Sequence, residues 1–376
     1  MLGIYIHIPF CKKKCSYCDF CSFENTKQLP PYLTALHKEI DLAAKLNPQK
    51  VDTVFIGGGT PSLLSGREAG ELIRSINDHF DLHPDTEITL EANPNTLDLY
   101  KLEGYREAGI NRLSIGLQAA QDRLLSLIGR LHTVQDFDTA FDMARKAGFE
   151  NINVDIIYAL PTQTVDDVKQ TVEYVLSKKP EHLSAYALHV PEGSEMDGRI
   201  CAGEYVQPSE DEEIEMYHQT QSMLHEKGYV NYEISNFAMT GMECRHNLKY
   251  WNLRDYLGLG IAAHSCIGNM RMANTEDMEA YMQNMKADKL RYASSEMIDT
   301  RNRKIEYLML KLRLKEGFSL YNYKSSFGER FEDAFSSEIR EAVDAGLMTI
   351  KRDRAMPTSK GFDFENQLVL MLIKNL

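Results

Sequence analysis

The chain carries one tryptophan and seven cysteines in 376 residues, and it has no internal repeat, no low-complexity tract and no apolar run long enough to span a bilayer. Each shortage excludes something. A membrane-spanning helix needs about 20 consecutive apolar residues, and none is found. Met1 leads straight into LGIYIHIPF, with no basic leader, apolar stretch and small-residue cleavage site, so the cytoplasm is the expected location. Peripheral contact with a membrane surface stays open. An odd number of cysteines, four of them between positions 11 and 21, does not build a secreted disulfide framework. In a reducing compartment such clustering points to metal or redox chemistry. Positive charge is short as well. Forty-two Lys and Arg against 55 Asp and Glu leave a net charge of -13, which argues against general nucleic-acid binding, because that needs a basic face.

What is present is a chain long enough for one large domain and an appendage, 43% hydrophobic and 26% charged. Runs rich in β-branched residues, at Gly3 to Ile8, Val51 to Ile56, Glu87 to Ala92, Arg112 to Leu117, Asn151 to Ile157 and His182 to Leu188, predict six strands. Helical patterns alternate with them at Tyr32 to Leu46, Arg67 to Phe80, Leu97 to Ala108, Val134 to Ala147 and Val165 to Leu176. Strand-then-helix units imply an α/β fold with a parallel sheet, since each parallel crossover needs such a helix. A partial (β/α)6, TIM-like barrel is preferred to an open doubly wound sheet. Its unusual residues, Cys11, Gly57 to Thr60, Glu91, Gln118 and Asp155, fall at several strand ends and not at one switch point. After about Pro191 the alternation stops, and the expected division is 1–208 and 209–376. The second part reads as a charged helix over Ser209 to Lys227, a loop with CRHNLKYWN and DYLGLGIAAHSC, a helix at Arg301 to Leu314 and a winged-helix-like end.

Cys11, Cys15 and Cys18 are spaced C-x3-C-x2-C on a loop directly after the first strand. Three readings compete. A closed zinc site and a ferredoxin-like cluster would each use four thiolates, Cys21 included. The third is a cubane of four irons held by three cysteines, with one iron open to a ligand.

The segments YIHIPFCKKKCSYCDF, IGGGTP, EANP, SIGLQ, NVDIIYALP and HNLKYW, in this order, together resemble the radical S-adenosylmethionine (SAM) enzymes of the oxygen-independent coproporphyrinogen III oxidase family. The resemblance covers nearly the whole chain. It implies a 4Fe-4S cluster on Cys11, Cys15 and Cys18, with SAM chelated at the open iron. By resemblance Gly58, Gly59 and Thr60 meet the methionine part of SAM, Glu91, Gln118, Arg130 and Asp155 also serve it, and Tyr5 and Tyr17 pack near the cluster and cofactor. Read without the resemblance, GGGTP is a tight turn, and Glu91 and Asp155 are buried salt-bridge partners of Arg112 or Arg130. Arg130 is then a solvated helix cap.

One feature departs from the oxidases. There the third ligand is followed by one residue and a further cysteine, whereas here that place is Phe20 and Cys21 comes one position late. CDF, together with HNLKYW, is similar to the HemW-type heme chaperones of the same superfamily. That resemblance implies heme contact through His246, Asn247, Tyr250 and Trp251, with His246 supplying an imidazole to iron and the two aromatic rings stacking on the porphyrin. His264 and Cys244 compete as ligands. The plainer reading has His246 and Asn247 satisfying loop backbone and Trp251 filling a gap between domains. The partners implied are heme, apo-hemoproteins, respiratory ones above all, and a flavodoxin- or ferredoxin-like electron donor that Lys12, Lys13 and Lys14 could dock.

Overall fold

The computed structural model describes residues 1–376. Six strands open the chain: β1 (Leu2–Ile8), β2 (Val51–Gly58), β3 (Leu82–Ala92), β4 (Arg112–Gln118), β5 (Ile152–Tyr158) and β6 (His182–Ala187). Between them run α1 (Leu29–Ala44), α2 (Gly66–His79), α3 (Leu99–Glu107), the short α4 (Asp122–Leu127), α5 (Val134–Lys146) and α6 (Val165–Lys178). Local chemistry explains where three of the helices begin. Ser65, Thr133 and Thr164 each accept a backbone hydrogen bond from the third helical residue, and Glu68, Asp136 and Asp167 reach back to complete a capping box.

All six strands pair in parallel and in sequence order. The order does not close, because β6 pairs with a later strand and not with β1 or its neighbours. This is the expected partial barrel. Its inward and outward faces merge into one apolar core that takes in Ile4, Ile6, Val54, Leu90, Ile115 and Val154 from the strands and Leu36, Ile73, Phe137 and Val172 from the helices. No helix is long and apolar enough to cross a membrane.

Beyond β6 the chain adds α7 (Glu195–Cys201), α8 (Glu210–Glu226), β7 (Val230–Asn231) and β8 (Asn236–Ala238), and β8 runs antiparallel along β6. The stretch expected to be a loop is not one. It holds α9 (Arg245–Trp251), β9 (Tyr256–Leu259) and β10 (His264–Ile267), followed by β11 (Met270–Asn274), α10 (Met278–Lys286) and β12 (Tyr292–Met297). The reason is tertiary. The Glu87 carboxylate on β3 accepts the backbone N–H groups of Arg245 (3.1 Å) and His246 (3.0 Å), so the first turn of α9 is capped from a distant strand. Four-residue β9 is too short to show a period, yet it pairs in parallel with β1 on the side away from β2.

Sheet pairing therefore continues well past position 208. Glu39 of α1 ties that extension down: wholly buried, it accepts the Gly260 N–H, the Asn274 amide and the Tyr281 hydroxyl, each at 2.7 Å. A second core, from Tyr307 to Leu372, packs α11 (Thr300–Lys311) and later helices around a three-stranded antiparallel sheet. That is a mostly helical unit with a small wing, as expected.

Candidate functional site

The loop after β1 is closed at its base. Cys11 N–H donates to Phe23 O (3.0 Å) and Phe23 N–H donates to Pro9 O (2.7 Å), so the cysteines between are carried on a tied arch. The arch leans on the end of β2, where Gly59 N–H donates to Ile8 O at 2.9 Å. A side chain on Gly59 would put its Cβ 2.8 Å from Phe10 O and 3.0 Å from Cys11 Sγ, so only glycine fits. Gly58 sits at φ +116° under the His7 ring, where a Cβ would come within 2.8 Å.

Cys11, Cys15 and Cys18 line one end of a cavity of about 740 Å³. Gly58, Gly59, Thr60, Glu91, Gln118, Arg130, Asp155 and Tyr17 line the same cavity, which brings together every expected cluster and SAM residue except one. Tyr5 lies a layer behind, its ring stacked on Phe55 and its hydroxyl donating to His7 Nδ1 at 3.1 Å. Cys21 is elsewhere, in a separate groove.

The cavity walls are polar and incompletely paired. Thr60 Oγ1 lies 3.5 Å from Cys11 Sγ and accepts from Asn93 Nδ2 at 3.0 Å. Arg130 is no solvated cap: its guanidinium donates to Gly116 O (3.2 Å) and Asn93 Oδ1 and reaches Cys15 Sγ (3.7 Å), and its Nε is buried without a partner. Glu91 accepts the Gly58 N–H (3.1 Å), while Asp155 accepts from Ser114 Oγ (3.0 Å) and Asn153 Nδ2 (2.7 Å). Neither carboxylate is in a salt bridge, so the expected pairing with Arg112 or Arg130 does not occur. Burial, reinforced by Asp155, raises the Glu91 pKa to about 8. Two carboxyl groups facing one cavity, neither ion-paired with the Arg130 that shares it, suit a positively charged ligand. Gln118 reaches the cavity through an irregularity in β4, at φ +73°, a conformation uncommon for a residue with a side chain. Sequence reasoning missed Asn93, although EANP contains it, and missed Ser114 and Asn153, whose signal is a polar residue at an inward position of an apolar strand.

The HNLKYW segment forms α9, and His246 is buried. Its Nδ1 bonds Thr53 Oγ1 and its Nε2 bonds the Tyr250 hydroxyl, both at 2.9 Å, so neither ring nitrogen is free as placed. Asn247 and Tyr250 line a second cavity of about 540 Å³ that shares Glu91, Ser114 and Asp155 with the first. Trp251 lies under the Arg313 guanidinium, 4.7 Å from its ring centre, which makes it a joint to the C-terminal unit.

Comparison with known proteins agrees with this geometry. Residues 5–175 match the model of the Radical SAM superfamily and residues 300–364 that of the HemN C-terminal domain. The chain is 36% identical to heme chaperone HemW of Bacillus subtilis over 364 residues, 96% of each protein. It is 32% identical to heme chaperone HemW of Escherichia coli, covering 99% of this chain and 98% of that one. The chain belongs to the HemW family of radical SAM proteins. The fold is also that of the coproporphyrinogen III oxidase HemN from Escherichia coli, with a TM-score of 0.88 and 24% identity over 100% of this chain and 90% of that one.

Radical SAM membership implies a 4Fe-4S cluster and SAM. The HemW-family chain fits both groups. Three thiols share one cavity end, glycine leaves the close approach that Gly59 provides, and the unpaired carboxyls and the orphaned Arg130 Nε are polar atoms awaiting partners.

Glu91 gives a pH test. Its carboxyl titrates near 4.5 when unfolded and near 8 when folded, so between these values the folded state holds the extra proton and stability falls as pH rises. Glu91→Gln removes that dependence and keeps an acceptor for Gly58 N–H. Without cofactor, the variant should be more stable than the parent by roughly 1 to 3 kcal/mol at pH 8.5, with the gap closing toward pH 5. Urea unfolding at the two pH values measures it. Equal stability at both would show that Glu91 stays ionised and solvated.

Proposed function

We propose that the chain is a heme chaperone of the radical SAM class. It holds a 4Fe-4S cluster on Cys11, Cys15 and Cys18, takes SAM into the adjoining cavity, binds heme and passes it to apo-hemoproteins, respiratory ones above all. The observation that carries this reading is similarity over nearly the whole chain to proteins named heme chaperone HemW. Seven free cysteines and an oxygen-sensitive centre fit a reducing cytoplasm.

When bound, the cluster and SAM supply one-electron reductive cleavage of a carbon–sulfur bond. The residues around them bind and orient. Gly58 and Gly59 let backbone approach the ligand, and Thr60, Gln118 and Asn93 offer hydrogen bonds. Asp155, and Glu91 once it gives up its proton, would offer negative charge to SAM's sulfonium, and Arg130 would offer positive charge beside Cys15 to its carboxylate. Tyr17, half-buried beside Cys15, Cys18, Arg130 and Asp155, would narrow that end against water. Tyr5 supports the wall from behind.

Two assays run in parallel test the function. The anaerobically reconstituted protein should load heme stoichiometrically and release it to an apo-hemoprotein, and should leave coproporphyrinogen III unchanged in the presence of SAM and reductant. Decarboxylation of coproporphyrinogen with SAM consumption, and no heme transfer, would make it an enzyme of the oxidase type.

Lys12, Lys13 and Lys14 lie exposed on the arch of an otherwise acidic protein, which suits docking of an acidic flavodoxin- or ferredoxin-like donor. Changing all three to Glu should slow cluster reduction by flavodoxin, most at low salt, as seen by stopped-flow absorption. Rates equal to the parent at every ionic strength would leave these lysines as solvated loop charge.

A further inference from the structure

Four histidines surround the arch and the α9 region: His132 is buried with Nε2 on Leu117 O (3.1 Å), away from the α9 side, and two others have no lone pair to spare. His7 accepts from the Tyr5 hydroxyl through Nδ1 and donates to Cys21 O through Nε2 at 2.8 Å. His246 is held at both nitrogens by Thr53 and Tyr250. His264, the first residue of β10, is exposed and forms no side-chain hydrogen bond or ion pair. It faces a groove of about 880 Å³ that is distinct from the SAM cavity.

The groove has the walls a flat aromatic macrocycle needs. Tyr5, Phe20, Tyr250 and Tyr256 line it, and the Tyr250 and Tyr256 rings meet edge to face with centres 4.7 Å apart. Phe20 is 59% exposed, an unusual state for a phenylalanine, and it lines the SAM cavity as well. Cys21, also on the groove, is a second side chain able to bind iron.

We propose that heme docks in this groove with its iron on the His264 imidazole, and that His246 acts on heme only as a positioning residue, by fixing Tyr250 through the hydrogen bond to its hydroxyl. This rests on the heme-chaperone reading above. It explains how a motif containing a buried histidine can bear on heme: the Thr53–His246–Tyr250 chain sets the pitch of a groove wall. Asp19 and Glu276 also line the groove and would repel the heme propionates, which therefore point to solvent or toward Lys14, whose ammonium lies 3.0 Å from Phe20 O. An exposed histidine suits cargo that must leave. In transfer, the Fe–imidazole bond breaks, a ligand of the acceptor forms its own bond to iron, and iron keeps its oxidation state.

The test is titration with hemin, followed in the Soret region, of the cluster-loaded parent, His264→Ala, Cys21→Ala and His246→Ala, with thermal unfolding of each. His264→Ala should lose the imidazole-type Soret position and bind more weakly by more than the roughly tenfold that loss of an outer-shell partner costs a metal site. Added imidazole should restore the band. Cys21→Ala should keep the parent spectrum, and His246→Ala should keep the imidazole-type band with weaker binding. A folded His264→Ala protein with the parent's spectrum and affinity overturns the assignment, as does loss of the band in Cys21→Ala alone. A parent protein that binds no hemin refutes the heme-chaperone reading itself, a result distinct from either.

Discussion

The cysteine arch rests against the end of β2 at a place where only glycine fits. Because Gly59 has no side chain, Phe10 O and Cys11 Sγ can approach its backbone, and the first cysteine is set at the edge of the strand ends. Everything at the mouth follows from that contact. The arch closes one side of the cavity, and the parallel strands supply the other side from Gly58, Glu91, Gly116, Gln118 and Asp155. A parallel sheet lines up the C-terminal ends of its strands, so residues far apart in the chain meet without a long loop to carry any of them.

A second constraint links this mouth to the later chain. Glu87 caps α9 and accepts from the Cys244 thiol at 3.7 Å, while Glu91, four residues further along β3, faces the cofactor cavity. One strand therefore positions both the cofactor wall and the HNLKYW helix. The buried histidine of that helix couples Thr53 on β2 to Tyr250, and Trp251 at its end meets Arg313 of the C-terminal unit. Heme chemistry placed beside α9 would be mechanically connected to both.

Much of this was readable in the sequence, and for physical reasons. The six strands and their helices follow runs of β-branched residues and helical periodicity, and the capping boxes at Ser65, Thr133 and Thr164 fix three of the starts in the structure. Glycines and carboxylates at the ends of apolar strands marked that end of the sheet as unusual, but the grouping of Gln118, Arg130 and Tyr17 with them came from the family resemblance and not from local physics. What could not be read depends on distant partners. The α9 helix is seven residues long and capped by a carboxylate nearly 160 positions away, so no local signal marks it. The β9 strand has four residues and pairs across the barrel edge with β1. The hydrogen bonds of His246 to Thr53 and Tyr250 had no local signal either, because Thr53 lies on a strand nearly 200 positions away. The groove at His264 gathers side chains from the β1 strand, the arch, α9 and the β9–β10 region, and such a juxtaposition has no sequence signature.

The account depends most on three thiolates, and not four, holding a cluster with one iron open to SAM. The most direct measurement is electron paramagnetic resonance of the reduced, anaerobically reconstituted protein, with and without SAM, for the parent and for alanine replacements of Cys11, Cys15, Cys18 and Cys21. The signal should vanish in each of the first three, persist in Cys21→Ala, and shift when SAM is added to the parent and to Cys21→Ala alike. Loss of the signal in Cys21→Ala, or a parent signal that SAM leaves unmoved, would contradict the account.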